Sequence, residues 1–340
     1  MKTNISTAAP PLISILIPVR DDLENLRACL RSLAGEDLNN STEVLVCDDG
    51  SSTPLEEEAL RRIMPGVRLF RIKGSGPAKA RNLLSEKADG AYLFFVDADT
   101  EFSGKTLETA RNIIRDFPDL NAFIGSYDDS PGIKTTVSQY KNLSHHYVHH
   151  RSSGRVSTFW TGCGIIKRRV FREFGGFNEH YLKPSIEDIE LGMRLAKEGR
   201  EIRIFPEMQV KHNKAWTLAN WLKTDLFLRG IPWVRLMKTR GQWLPELNFT
   251  ASHRISAILV LLLGPVLAAA FFHPLLWWAG LILLLTFILL NYHFFCFLAR
   301  KTSFWSAALM VPLHMLYYLT ASLSLALGLV SALIHGPLED

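Results

Sequence analysis

Cysteine is scarce in this 340-residue chain: Cys29, Cys47, Cys163 and Cys296 lie far apart, with none of the short paired spacings of a zinc or redox motif. That excludes a disulfide-stapled scaffold and suits a reducing compartment. Charge is missing from the last quarter. No Asp, Glu, Lys or Arg lies between Arg254 and Arg300, and none between Lys301 and Glu339. Two phosphate-binding motifs are absent as well. The first strand-like run ends in "PVRDD" rather than G-x-G-x-x-G, and the P-loop pattern does not occur, which removes a nicotinamide dehydrogenase and a P-loop NTPase. The opening "MKTNISTAAPP" has no apolar core before Pro10, so no signal peptide is expected and residues 1–11 are predicted to be disordered.

What the uncharged region does hold is enough apolar length for a bilayer. A spanning helix takes roughly 20 residues, and three fit, over about 255–272, 276–298 and 308–334 within the predicted membrane region 254–335. A helix of a soluble protein keeps a polar face; "LLWWAGLILLLTFILL" has none. Lys223, Arg229, Arg235, Lys238, Arg240 and Arg254 precede the first of these segments, and Arg300 and Lys301 separate the second from the third. Basic flanks mark the cytoplasmic side. The expectation is a multi-pass protein of the cell membrane, with its N-terminal domain cytoplasmic and the acidic "LED" end on the far side. The formal net charge of +5 is concentrated beside these segments, a placement that fits anionic lipid headgroups and gives no footprint for nucleic acid. Over 215–253, Trp216, Trp221, Trp233 and Trp243 interleave with basic residues, the composition of helices lying in the membrane interface.

The first part of the chain reads differently. "LISILIPV" is a continuous apolar run of the kind a fully buried strand shows, and "DDLENLRACLRSLAG" follows with leucines at helical spacing. The alternation repeats through "TEVLVCDDGS", "VRLFRI" and "AYLFFVDADT". It predicts an α/β domain over 12–214 with a mainly parallel, doubly wound sheet, whose ligands bind beyond the carboxyl ends of the strands. Those ends carry Asp48 and Asp49 on one strand, and Asp97 and Asp99 beyond another. Gathered carboxylates repel unless a cation joins them, and a hard divalent ion completes its shell with water and phosphate oxygens. A metal-bound diphosphate is one answer; strand-end capping and the turn chemistry of "DDGSS" are another.

Further segments carry candidate chemistry. In "GSGPAKARN", Lys79 and Arg81 stand at a helix start, against the preference of the helix dipole, which points to an anion nearby. "TFWTGCGIIKRR" offers Trp160 as a stacking face and Gly162 as room for a substrate against the backbone, or it is a packed core loop. "SIEDIELGMRL" places Glu187, Asp188 and Glu190 in a first helical turn, where they complement the dipole or supply a general base. "SHHYVHHRS" sets His145 and His149, and His146 and His150, four apart. No carboxylate is interleaved as in a zinc-binding H-E-x-x-H helix, which argues against a metal there.

In that order, "ISILIPVRDDLENLRACLRSL", "EVLVCDDGSS", "GPAKARN", "FFVDADT", "GCGIIKRRVFREFGGFNE", "SIEDIELGMRL" and "VKH" closely resemble the family 2 glycosyltransferases over roughly residues 12–240. The resemblance implies a GT-A fold and inverting transfer of a sugar from a nucleotide-diphospho-sugar. It implies that Asp49 contacts the base or ribose, with Pro18 and Val19 lending neighbouring backbone. Asp97 and Asp99 match the D-x-D pair, Asp99 ligating Mg2+ or Mn2+ and Asp97 holding ribose or a metal-bound water, with His212 as an additional metal or diphosphate contact. Asp188 matches the general base and Glu187 its neighbour. The "ED" pair leans toward a hydroxyl acceptor on a lipid or membrane-associated glycan, as in cell-envelope glycan synthesis. A polyprenyl-phosphate sugar transferase, whose acceptor is already ionised, is the alternative, and an inactive glycan-binding scaffold a second. The Q-x-x-R-W form of processive synthases is absent, which leaves Arg229 and Trp233 without an assigned acceptor role.

Overall fold

Apolar runs without a polar face need cover on both sides, and the chain supplies it by pairing them edge to edge between helices. The computed structural model describes residues 12–38, 41–152, 154–243 and 251–335; the expectations for 1–11 and for the acidic end lie outside them. Two compact units emerge, Met1–Tyr127 with Ser153–Asn213, and Asp128–Ser152 with Lys214–Asp340. The uninterrupted domain expected over 12–214 is therefore split, because residues 128–152 group with the C-terminal helices.

In the first unit the chain runs β1 (Ile13–Val19), α1 (Leu23–Ala34), β2 (Thr42–Asp49), α2 (Glu57–Arg61), β3 (Arg68–Ile72), α3 (Pro77–Lys87) and β4 (Tyr92–Val96). These four strands pair in parallel in the order β3-β2-β1-β4, so the C-terminal ends of β1, β2 and β4 share one edge. Successive residues of β1 feed opposite cores: Ile15 and Ile17 pack with Leu26, Leu30 and Leu33 of α1, and Leu16 packs with Phe95 and Leu84 of α3. Then come β5 (Thr100–Phe102), α4 (Thr106–Asp116) and β6 (Ala122–Tyr127). The excursion into the other unit carries α5 (Thr136–Arg151), after which β7 (Gly154–Val156), β8 (Cys163–Lys167), α6 (Arg168–Glu173), α7 (Glu187–Lys197) and β9 (Ile202–His212) complete the unit. β8 runs antiparallel between β4 and β6, β6 is parallel to β9, and β9 is antiparallel to β5 and β7. The expected α/β sheet is present, parallel along one half and mixed along the other.

One irregularity in the mixed half matters for the site. Pro206 has no N–H to give the ladder, and the β6–β9 register shifts between Ile124 and Ser126. The bulge drives the Met208 carbonyl against Gly125, where a Cβ would lie 2.0 Å from that oxygen. Beyond it the pairing resumes, and Thr100 of β5 faces His212 of β9.

The second unit contains α5, then α8 (Leu218–Lys223), a π-helix (Thr224–Gly230), α9 (Ile231–Arg240), α10 (Ala251–Ala270), α11 (Leu276–Leu290), α12 (Tyr292–Lys301) and α13 (Phe304–His335). α5 belongs here because Tyr140 and Leu143 are buried with Trp216, Trp221, Phe294, Leu298 and Met310. Among the described residues α10 and α13 are each long and apolar enough to cross a membrane, and α11 with α12 makes a third candidate only as a bent pair. The straight segment expected over 276–298 is thus broken, by 67° at Asn291.

Asn291 sits at the break because a polar network replaces the interrupted ladder. Its amide nitrogen donates to the Phe287 carbonyl at 2.9 Å and to Ser256 Oγ at 2.9 Å. A carbonyl only accepts, so the amide oxygen must face the other way, toward His314 Nε2 at 3.1 Å and the Tyr318 hydroxyl at 3.3 Å. His314 therefore donates from Nε2 and accepts at Nδ1, from Tyr140 Oη at 2.9 Å. Every member has a partner, which is the condition for polar side chains in an apolar bundle. Asn291→Leu should strip His314 and Tyr318 of that shared acceptor and lower stability by about 1–2 kcal/mol; thermal unfolding of the detergent-solubilised variant checks this, and an unchanged midpoint would dissociate the break from the network.

Candidate functional site

The parallel half of the sheet delivers its carboxylates to one edge. β2 ends in Asp48 and Asp49, and β4 ends at Val96, immediately before Asp97. Asp48 is fully buried and accepts from the backbone N–H of Ser51 at 2.8 Å and of Leu55 at 3.2 Å, with Arg71 Nε 3.6 Å away. Burial alone would raise its pKa, but these bonds and the guanidinium outweigh burial and hold the carboxyl below its ordinary value. Asp49 receives the backbone N–H of Ser75 at 2.7 Å and of Gly76 at 3.0 Å. Both acids thus shape loops: Asp48 its own turn, and Asp49 the approach to α3. Gly76 has φ +94°, and a Cβ there would stand 2.6 Å from the Leu182 carbonyl, so this approach admits only glycine. Pro18 and Val19 lie beside Cys47 and Asp48 in register. Asp21 just beyond them has φ +51°, pinned by its N–H to Ser51 Oγ at 2.9 Å and by the Ser52 N–H to its own carboxylate at 2.7 Å.

Arg81 of α3 is the link between the distant segments. Its side chain is 5% exposed, and it reaches Asp97 Oδ1 at 2.7 Å and Glu187 Oε1 at 2.8 Å, with the Phe177 ring 5.8 Å from the guanidinium carbon. Burial works against its charge, but Asp97, Glu187 and Asp188 outweigh burial and hold it more firmly protonated than usual. Its Nε–H is buried and has no hydrogen-bond partner among the described residues. Lys79, the other basic residue expected here, is half exposed and pairs with Glu179 at 3.6 Å instead. Glu187 is 3% exposed, and its second oxygen takes the Ser185 N–H at 2.9 Å. Its place in the site is to hold Arg81, a part that its sequence position beside Asp188 did not signal.

Asp188 opens α7 next to Glu187 and is half-buried. Its Oδ2 accepts from Thr161 N at 3.2 Å and Thr161 Oγ1 at 3.3 Å. This ties the base candidate to the "TFWTGCG" loop. In that loop a Cβ on Gly162 would meet the Trp160 ring at 2.4 Å, so the glycine makes room for the indole. Trp160 stands edge-on to Tyr127 at 4.8 Å, and Tyr127 stacks on His212 at 4.1 Å with ring planes 10° apart. Thr161 and Tyr127 escaped the sequence reading. Thr161 had only its place in a loop already singled out, and Tyr127 had no local signal.

The β5–β9 pairing brings His212 to the D-x-D turn. Its Nε2 lies 3.6 Å from Asp99 Oδ2, and the Asn213 N–H donates to the Asp99 carbonyl at 2.8 Å. Asp97, by contrast, points to Arg81. Among the described residues no three His, Cys, Asp or Glu side chains converge on one ion position. In α5 the histidines pair as spaced, His145 with His149 at 3.9 Å and His146 with His150 at 3.7 Å between ring centroids.

Comparisons with known proteins agree with this architecture. A family model described as "Glycosyl transferase family 2" matches residues 14–175. The pre-mycofactocin glycosyltransferase of Mycobacterium tuberculosis H37Rv is 25% identical over 231 residues, covering 64% of this chain and 46% of the relative. The glycosyltransferase AglE of Haloferax volcanii is 34% identical over 98 residues, 27% of this chain and 32% of the relative. The match thus spans about half the length of the longer-matched curated relative, or less. Among solved structures, the mannosyltransferase PcManGT of Pyrobaculum calidifontis, in complex with GDP-Man and Mn2+, has TM-score 0.50 at 18% identity and covers 97% of this chain and 90% of its own. GalNAc-T7 with UDP, GalNAc and Mn2+ has TM-score 0.51 at 18% identity, covering 72% of this chain and 51% of its own. At such identities these likenesses speak for the fold. Residues 14–175 thus resemble glycosyl transferase family 2, and the first unit has the GT-A fold.

Two measurements probe this arrangement. Arg81→Met should leave Glu187 buried without its cation and cost about 3–5 kcal/mol in unfolding experiments, whereas Arg81→Lys, which keeps the charge, should recover part of it. Asp48→Asn should destabilise at neutral pH by about 1–3 kcal/mol. Because the folded carboxyl sits below the ordinary value of 3.8, its stabilisation is complete above that pH and is lost as pH falls through the lower folded value. The gap between wild type and Asp48→Asn should therefore close in acid, and a gap constant from neutral pH to pH values below the folded pKa would refute the assignment.

Proposed function

We infer that the protein is a membrane-associated inverting glycosyltransferase, moving a sugar from a nucleotide-diphospho-sugar to a hydroxyl of a lipid or membrane-associated glycan. The observation that carries this reading is the Arg81 bridge, which couples the D-x-D turn through Asp97 to the first turn of α7 through Glu187. Donor-side and acceptor-side groups of the family pattern thereby belong to one rigid constellation. The buried Nε–H of Arg81 is a donor suited to a ribose or phosphate oxygen of the nucleotide.

The acceptor oxygen attacks the anomeric carbon as the bond from that carbon to the diphosphate oxygen breaks, and Asp188 takes the acceptor's proton. Thr161 orients the carboxylate for this through two hydrogen bonds. Trp160, held by Gly162 and Tyr127, presents an aromatic wall to the sugar. Asp99 and His212 offer an oxygen and a nitrogen 3.6 Å apart, within the roughly 4.2 Å that two ligands at about 2.1 Å from one Mg2+ can be separated. Asp99 and His212 are thus the residues that would hold Mg2+ or Mn2+, which when bound supplies positive charge to the leaving diphosphate. The basic residues flanking the apolar helices, Lys301 with its ion pair to Asp129 among them, support a cytoplasmic face for the catalytic unit in the cell membrane.

The test uses the full chain in detergent with Mn2+ and a panel of nucleotide-sugars, reading released nucleoside diphosphate. One donor should be turned over in a metal-dependent way, and Asp99→Ala should abolish this. Asp188→Asn should keep donor binding and slow turnover by roughly 10²–10⁴-fold. Undiminished transfer to a polyprenyl phosphate by Asp188→Asn would assign the acceptor as an ionised phosphate. Neither binding nor turnover of any donor would overturn the transferase reading in favour of a scaffold.

A further inference from the structure

The second unit holds a cluster of cations that its own carboxylates do not balance. From Lys214 to Trp243 the sequence has six basic residues and a single acidic one, Asp225. Asp225 is already committed: its Oδ2 accepts Lys141 Nζ at 2.7 Å and the Trp221 indole N–H at 2.5 Å. Lys141 of α5 lies over two indoles, 5.6 Å from the Trp216 ring centre and 5.4 Å from that of Trp221. Lys214 takes the same Trp216 ring at 4.8 Å, so two ammonium groups share one indole. Trp216 is fixed in turn by its backbone N–H, which donates to Ser138 Oγ at 2.8 Å.

Arg229 completes the group. It follows Asp225 by four residues in the π-helix, is exposed, and its charge acts on Lys141, as does that of Lys214. Burial holds the Lys141 ammonium below its ordinary value; Asp225 offsets only part of this, and Arg229 and Lys214 add to the lowering. Three basic residues thus share this neighbourhood with one carboxylate, which is paired to Lys141. Such an excess is unfavourable alone and becomes favourable when an anion joins it. A π-helical turn is itself uncommon overall and is frequent at functional sites.

The surroundings narrow the anion. Leu218, Phe227 and Trp243 are large apolar side chains left 44%, 59% and 51% exposed along the same segment, and they alternate with Lys223, Arg229 and Lys238, which are exposed as well. Apolar side chains beside unpaired cations match the boundary between acyl chains and headgroups. α10, one of the two helices long enough to cross a bilayer, begins shortly afterwards at Ala251.

We propose that Lys141, Lys214 and Arg229, arranged around Asp225 and the indoles of Trp216 and Trp221, form a binding site for the phosphate of an anionic phospholipid. Lys141 is its fixed base, since Asp225 and Trp221 hold it in place, and Lys214 and Arg229 are the mobile arms that close on the phosphate from the water side. The site rests on the membrane association of the chain and is independent of whether Asp188 acts as a base, so failure of one leaves the other standing.

The full chain in a non-ionic detergent, titrated calorimetrically with dioctanoyl phosphatidylglycerol, tests this. Wild type should bind saturably at one site, and the phosphatidylcholine analogue, which carries no net charge, should bind more weakly. The double variant Lys214→Gln with Arg229→Gln removes only exposed side chains and leaves the Lys141–Asp225 pair, so it should fold as wild type and bind about thirtyfold more weakly, at roughly fivefold per cation. Lys238→Gln, a basic residue of the same segment outside the cluster, should bind as wild type. Equal weakening by Lys238→Gln would show diffuse attraction instead of a site and overturn the proposal. So would inorganic phosphate binding as tightly as the lipid, or an absence of saturable binding in wild type.

Discussion

A buried guanidinium between two carboxylates sets the terms for the first unit. Removing Arg81 from water costs several kcal/mol unless its charge is matched at close range, and it is matched by residues from two segments far apart in the chain. The turn after β4 and the start of α7 are therefore constrained to one spacing. Asp188 gains its position from this arrangement, being next to Glu187, and passes it on through Thr161 to the loop that carries Trp160. The carboxylate proposed as the base thus takes its position from a neighbour that Arg81 holds in place.

The core of the first unit and the apolar bundle of the second solve the problem of buried polarity in opposite ways. In the first, formal charges neutralise each other. In the second, the apolar bundle contains a neutral chain of donors and acceptors from Tyr140 through His314 to Asn291 and Ser256. Without a charge to satisfy, direction becomes decisive. The carbonyl of Phe287 fixes the Asn291 amide, and the amide fixes the tautomer of His314.

Much of the catalytic unit was legible because burial leaves a mark on sequence. Strands covered on both faces read as unbroken apolar runs, and the carboxylates that follow them stand out by contrast, as at Asp49, Asp97 and Asp99. Asp188 was legible through its place in an ordered series of motifs. Pairing leaves no such mark. Nothing in "IRIFPEMQVKH" states that its end lies against β5, so apart from the resemblance the approach of His212 to Asp99 came only with the fold. Tyr127 was invisible for the same reason, and Glu187 could be read only as a first-turn acid beside Asp188, because nothing local shows that Arg81 lies against it. The departure of residues 128–152 into the second unit escaped because the partners that bury Tyr140 and Leu143 come from the far end of the chain. The break at Asn291 was hidden within an otherwise uniform apolar segment.

The bulge at Pro206 has a consequence for how this site can vary. Side chains on a strand alternate between faces, so the face on which His212 emerges depends on the parity of the residues counted from the end of the bulge. A single inserted or deleted residue between Met208 and His212 would present Lys211 or Asn213 to Asp99 in its place. Length in this stretch is consequently restrained along with composition: the Gln209 amide braces the bulge by donating to the Pro206 carbonyl at 3.0 Å, and the interval from there to His212 has to stay a fixed integer.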